Sequence, residues 1–294
     1  MMPSFKSDQI PLPNSGDVFH TWTSTGQRSR DLAFFHANGF NGATYRSFVA
    51  PLTDTFRVGL PSLRGHGFTT VGPTPSLSSW EIIGDDMRAW AKGWGLRDGA
   101  VMIGHSLGAY AALRVAAAYP ERISRLILIE PVLLHPLARW IFRTPVRYLI
   151  KPHLPLVKAT LRRRAHWPSR EAVIEKLRPH PFFRDWEEAA FFDYLEEGLM
   201  PAAEGVRLSC PPKWEAALFG AQGQRIRWAI KRVLKAKRPV TLIHATNAST
   251  VSRVEREWLA AQGAEVVAIE GGHLLPQEQP LPTREAVLRL LSRG

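Results

Sequence analysis

The chain has 294 residues and a single cysteine, Cys210, so no disulfide can form within it and its stability has to come from a packed core. It also lacks any apolar run near the roughly 18 residues that cross a bilayer. The opening residues, Met1-Met2-Pro3-Ser4-Phe5-Lys6, have no apolar stretch of the signal-peptide kind. A soluble, cytoplasmic protein is therefore expected. Acidic residues are scarce, 26 against 38 Lys and Arg, which leaves a net charge of +12. The rest of the composition, 45% hydrophobic and 22% charged, is that of an ordinary globular chain. Its length suffices for one large domain, or a domain with an insertion.

The positive charge is concentrated in the middle third. Arg139, Arg143 and Arg147 recur at i+4 spacing, Arg162-Arg163-Arg164 form a run, and five more basic residues lie in 231–238. The plain reading is a solvated basic face. The sharper one is attraction to anionic substrates or to an anionic membrane surface through peripheral contact. No nucleic-acid-binding module accompanies the charges, so nucleic acid is not expected as a partner.

Short apolar runs at 18–23, 32–36, 57–60, 100–103 and 125–129 alternate with helical patterns at 80–94 and 107–119. The rhythm returns as strand 240–245, helix 255–262, strand 266–269 and helix 284–292. Such alternation, with apolar runs buried on both faces, predicts an α/β fold, a mostly parallel sheet flanked by helices. Between 131 and 238 the strand rhythm stops. Helical pieces at 137–150, 170–177, 186–198 and 226–235 fill a stretch rich in Pro, Arg and aromatics, without repeats or low-complexity tracts. The chain thus divides into a core, 1–131 and 239–294, and an inserted helical cap, 132–238. The cap is expected over the C-terminal edge of the sheet, where open α/β sheets bind ligands. Its aromatics, including Trp140, Phe142, Phe182, Phe183, Trp186, Phe191 and Phe192, would form its own core for the most part.

One segment carries chemistry directly. Gly104-His105-Ser106-Leu107-Gly108 follows an apolar strand and opens an Ala-rich helix. This is the context of a nucleophile elbow, in which a serine on a tight strand-to-helix turn is lifted beside the free N–H groups of the new helix. A serine nucleophile needs a base, and the base needs an orienting acid. His273, in Gly271-Gly272-His273 after the last strand, is the candidate base among ten histidines. The turn after the next-to-last strand reads Thr246-Asn247-Ala248-Ser249-Thr250 and has no carboxylate. The acid is instead assigned to Glu130, which closes the apolar strand 125–129, with Asn247 as the alternative. Pro131 predicts an extended backbone at Glu130. An oxyanion hole needs two N–H donors; the Leu107 backbone supplies one, and Phe40 is chosen for the other, ahead of Asn38. His36 is read as a brace for that loop, and Arg64-Gly65-His66-Gly67 as architecture. No cofactor or metal is called for.

Together, His36-Ala37-Asn38-Gly39-Phe40, Leu63-Arg64-Gly65-His66-Gly67, Gly104-His105-Ser106-Leu107-Gly108 and Gly272-His273 resemble the motifs of the α/β-hydrolase fold family. The resemblance covers the core, and the insertion is similar to the lid of such enzymes. It implies a serine hydrolase acting on a carboxylic ester or related acyl bond of a small, partly hydrophobic substrate. It also implies that the acid, absent from 246–250, stands after the strand that follows the nucleophile helix, at Glu130. Serine at position 106 argues against the dehalogenase and epoxide hydrolase branches, which carry aspartate there. Two other readings stay open: a hydrolase-like binding protein without turnover, and a lipase at a membrane surface.

Overall fold

A computed structural model describes residues 5–74, 77, 79–142 and 144–293. Arg143, the middle member of the i+4 series, lies outside them. Eleven strands are present among the described residues: β1 (Phe5–Pro11), β2 (Val18–Ser24), β3 (Arg30–Phe35), β4 (Phe56–Pro61), β5 (Ala100–His105), β6 (Ile123–Ile129), β7 (His166–Trp167), β8 (Leu199–Pro201), β9 (Val206–Leu208), β10 (Val240–Ala245) and β11 (Glu265–Ile269). Eight of them form one sheet in the order β1-β2-β4-β3-β5-β6-β10-β11. β1 and β2 pair antiparallel, as do β2 and β4, and the other neighbours are parallel.

Every residue of β5 is buried, and β6 is buried over its last four, Leu126 to Ile129. Central parallel strands are covered on both faces, which is why they read as apolar runs and not as alternating ones. One layer packs helices Glu81–Gly93, Leu107–Ala118 and Ile226–Lys235 on the sheet through Trp90, Leu113 and Ile230. The opposite layer brings Phe48, Phe191 and Val287 onto Phe34, Ile103 and Ile129. Edge strand β1 shows no apolar run because only one of its seven residues is buried. A strand with so little apolar burial carries no periodic signal.

The 110 residues between β6 and β10 leave the sheet and return to it, since these two strands are paired neighbours. The segment is not purely helical. β7, β9 and β8 form a small antiparallel sheet within it, formed by strands of two or three residues, too short for a pattern to register. The expected helix over 137–150 is two pieces, Pro136–Ile141 and Arg147–Ile150, with Pro145 between them. Two further helices, Pro155–Leu161 and Pro212–Phe219, begin at prolines, which fit the first turn of a helix.

Of the seven aromatics, Phe183, Trp186 and Phe191 are buried, whereas Trp140, Phe182 and Phe192 are exposed. The insertion is anchored by Glu197, whose fully buried carboxylate accepts from Ala43 N–H and Ser62 Oγ, each at 3.0 Å, and meets His20. No helix among the described residues is long and apolar enough to cross a membrane.

Candidate active site

The C-terminal ends of β5, β6, β10 and β11 converge on three side chains. Ser106 stands between β5 and the helix Leu107–Ala118 with φ 55° and ψ −117°, a conformation that a residue with a Cβ rarely adopts. Gly104 and Gly108 make the turn possible. A Cβ on Gly104 would fall 2.1 Å from the Gly108 oxygen, and one on Gly108 would fall 2.0 Å from the Phe35 oxygen. Both neighbours are backbone, so neither can swing aside. The Ser106 N–H donates to the Ile129 oxygen at 3.0 Å, tying the elbow to β6.

His273 follows β11, and its Nε2 lies 3.0 Å from Ser106 Oγ while its Nδ1 lies 3.0 Å from Glu130 Oε2. A carboxylate can only accept, so the Nδ1 nitrogen carries the proton and Nε2 is left bare toward the serine. His105 fixes the ring from behind. It is fully buried, accepts from Tyr45 O–H at 2.7 Å on Nδ1, and donates from Nε2 to the His273 carbonyl at 2.9 Å. Burial first, then the neighbouring His273, lowers the His105 pKa to about 3, so it remains a neutral strut.

Glu130 is fully buried directly beyond β6, and every lone-pair direction has a donor. Ala245 N–H (2.7 Å) and Ser249 Oγ (2.6 Å) donate to Oε1, while Thr250 N–H (2.9 Å) and Thr250 Oγ1 (3.2 Å) donate to Oε2. Burial alone would raise its pKa. The bonds from His273, Ser249, Ala245 and Thr250 outweigh that and lower it to about 2. The turn 246–250, conspicuous in the sequence for lacking a carboxylate, is thus the cradle of a carboxylate supplied from β6. Asn247 is exposed and makes no side-chain hydrogen bond to His273 among the described residues. The extended backbone expected at Glu130 is not found. Its φ is 44°, and the four bonds from β10 and the turn impose this against the preference of a residue before proline.

Phe40, expected to supply the second oxyanion donor, does not present a free N–H. The Phe40 N–H is occupied, donating to the Ala37 oxygen at 3.2 Å, and its ring packs against Trp186, Tyr194 and Phe182. The Asn38 N–H has no acceptor among the described residues, and Asn38 is the one partly exposed member of the loop 36–40. Leu107, at the first position of its helix, likewise keeps an N–H without an acceptor. Which peptide of a tight turn faces outward depends on the turn's internal hydrogen bonds, and residue types alone do not show these.

Two buried histidines hold this loop. His36 Nε2 accepts from Leu63 N–H at 2.8 Å, and His66 Nε2 accepts from Gly39 N–H at 3.1 Å. Their Nδ1 atoms bond the Ala37 and Arg64 carbonyls at 2.7 and 2.8 Å. Burial lowers His66 to about 4 and pushes His36 well below the usual histidine range, with His66 adding to the latter. Both rings are therefore neutral and structural. Arg64 is clamped to Asp86 by two 2.7 Å bonds, which places the 64–67 turn in the architecture.

Known proteins resemble this chain to different extents. The chain is 28% identical over 207 residues to a pimeloyl-(acyl-carrier protein) methyl ester esterase of Methylococcus capsulatus, covering 67% of this chain and 68% of that protein. It is 32% identical over 108 residues to the esterase of the same name from Edwardsiella ictaluri, covering 37% of this chain and only 39% of the relative's length. Among solved structures, E-2-(acetamidomethylene)succinate hydrolase superposes with a TM-score of 0.73 at 20% identity, over 98% of this chain and 100% of that one. A sequence profile described as the alpha/beta hydrolase family matches residues 32–286, which span the sheet from β3 to the last helix and include all three converging side chains. With that match over most of its length, the chain belongs to the alpha/beta hydrolase family.

Proposed function

We propose that this protein is a serine hydrolase that cleaves a carboxylic ester, or a related acyl bond, of a small and partly hydrophobic substrate through an acyl-enzyme. The observation that carries the reading is the unbroken chain from Ser106 Oγ through His273 to Glu130, with both links at 3.0 Å. His273 Nε2 takes the hydroxyl proton as Oγ forms its bond to the substrate carbonyl carbon. The carbonyl oxygen gains negative charge and meets the Leu107 and Asn38 N–H groups, which have no competing acceptor among the described residues. The imidazolium faces Glu130, held ionised with its pKa at about 2. It then protonates the leaving alcohol, and the C–O bond breaks. Water enters, gives a proton to the same nitrogen and attacks the acyl carbon, and the collapse of that second intermediate frees the acid and restores Ser106.

In the same reading the insertion acts as the cap, with the half-exposed Phe182, packed on the buried Phe40 of the loop 36–40, offering apolar surface there. The esterase names of the relatives favour an ester over other acyl bonds. The buried, unpaired Cys210 fits a reducing compartment such as the cytoplasm.

A fluorophosphonate probe tests the proposal. The wild-type protein should be labelled and Ser106→Ala should not. A folded wild-type protein that stays unlabelled, and inert toward p-nitrophenyl esters of graded chain length, would leave a binding protein without turnover as the answer.

A further inference from the structure

Between positions 131 and 170 the chain has nine Lys and Arg residues and neither Asp nor Glu, so forty residues hold nine of the twelve net positive charges. The same stretch exposes large apolar side chains. Leu137 and Trp140 are 60% and 63% exposed, one turn apart on the helix Pro136–Ile141. Tyr148 and Leu149 are 61% and 73% exposed on the next turn of helix, and Leu156 and Leu161 are both more than half exposed on Pro155–Leu161. Single exposed hydrophobes need no explanation, but six within twenty-five residues, on helices broken by prolines, do.

The last of these helices shows how the two chemistries are sorted. Val157 and Thr160 are buried, while Leu156, Leu161, Lys158 and Arg162 are exposed. Arg139 is spent on Glu255, and Arg163 on Glu215. Lys158, Arg162 and Arg164 have no carboxylate within ion-pair distance among the described residues. Burial, and then the nearby Arg147, hold the Lys151 ammonium below the usual lysine range.

We infer that this stretch of the insertion docks on an anionic lipid bilayer. A water-soluble acidic partner would satisfy the cations and leave six large apolar side chains to be matched separately. A bilayer surface takes both, with Leu, Trp and Tyr entering the boundary between headgroups and acyl chains and Lys and Arg meeting anionic headgroups. The segment is also joined to the site at both ends. Leu133 is bonded to Thr250 and Ser252 at 3.1 and 2.9 Å, and Thr250 holds Glu130. At the other end Arg163 pairs with Glu215, whose carbonyl accepts from Asn38 Nδ2 at 3.0 Å.

Co-sedimentation of the full chain with vesicles tests this, using phosphatidylcholine alone and phosphatidylcholine mixed with phosphatidylglycerol. The mixed vesicles should retain the protein roughly tenfold better, and added salt should reduce the difference. The Trp140→Glu/Leu149→Glu variant should partition roughly tenfold less while melting, and hydrolysing a soluble p-nitrophenyl ester, like the wild type. Wild-type protein that stays in the supernatant with both vesicles overturns the inference, as does a variant that pellets equally well. So does wild type that ignores lipid but binds an acidic acyl carrier protein. Vesicle binding is read without turnover, so an inert Ser106 would defeat the esterase reading and leave this result standing.

Discussion

Replacing Glu130 by Gln probes the site where its geometry is most constrained. The carboxylate receives two donors on Oε1 and two on Oε2, besides the His273 ring. A glutamine offers one oxygen and one NH2 group in the same space. With its oxygen toward Ala245, the NH2 confronts Thr250 N–H and His273 Nδ1, and the imidazole loses the acceptor that keeps Nε2 bare. Turned over, it keeps that acceptor but sets its NH2 against Ala245 N–H, and it still brings no charge to balance the imidazolium. Either orientation orphans one buried N–H, which costs about 1–3 kcal/mol, and with it about 2–5 °C of melting temperature in a protein of this size. The catalytic loss should be larger. We expect kcat on a p-nitrophenyl ester to fall roughly 10³-fold or more, about 4 kcal/mol of barrier, with little change in KM because Glu130 does not reach the substrate. A folded variant with the modest melting shift and a kcat within about tenfold of wild type would refute the assignment of the acid and the reasoning from its donors.

Glu130 titrates at about 2 in the folded protein against an ordinary 4.5, a difference equivalent to about 3 kcal/mol. Because the folded value is the lower one, that stabilisation is complete above about pH 4.5 and drains away as the pH falls toward about 2. Denaturant midpoints measured across that window should decline for the wild type, with a smaller slope for Glu130→Gln; parallel slopes would show that Glu130 does not contribute. Gly108→Ala forces a Cβ to 2.0 Å from the Phe35 oxygen, so it should destabilise by about 1–3 kcal/mol or more, read as a lower denaturant midpoint. An unchanged midpoint would mean that helix and strand do not approach as closely as described.

The central strands were legible in the sequence because burial on both faces leaves uninterrupted apolar runs, as in Val101-Met102-Ile103 and Leu126-Ile127-Leu128-Ile129. β1 was not, being an edge strand with a single buried residue, and neither was the small sheet of β7, β9 and β8, whose strands are shorter than any period they could display. The elbow at Ser106 was legible for a different reason. Its two glycines are demanded by backbone contacts of 2.1 and 2.0 Å, so local geometry is written in local residues. No comparable local rule governs the loop 36–40. There the residue with a free N–H is Asn38 and not Phe40, because the turn closes on the Ala37 carbonyl and His66 claims Gly39 N–H.

What the sequence by itself determined is the strand and helix order, the serine on its tight turn, the histidine after the last strand and the uneven placement of charge, all properties of short contiguous segments. What only the tertiary structure decided is how distant segments complete one another. Glu130 becomes a strongly acidic carboxylate because His273, Ser249, Ala245 and Thr250, all more than a hundred residues away, converge on it with hydrogen bonds. His273 is aligned because His105 holds its carbonyl across 168 positions of chain. Hydrogen bonds act over about 3 Å in space and are indifferent to separation along the chain. The parallel sheet is what brings these ends to one edge.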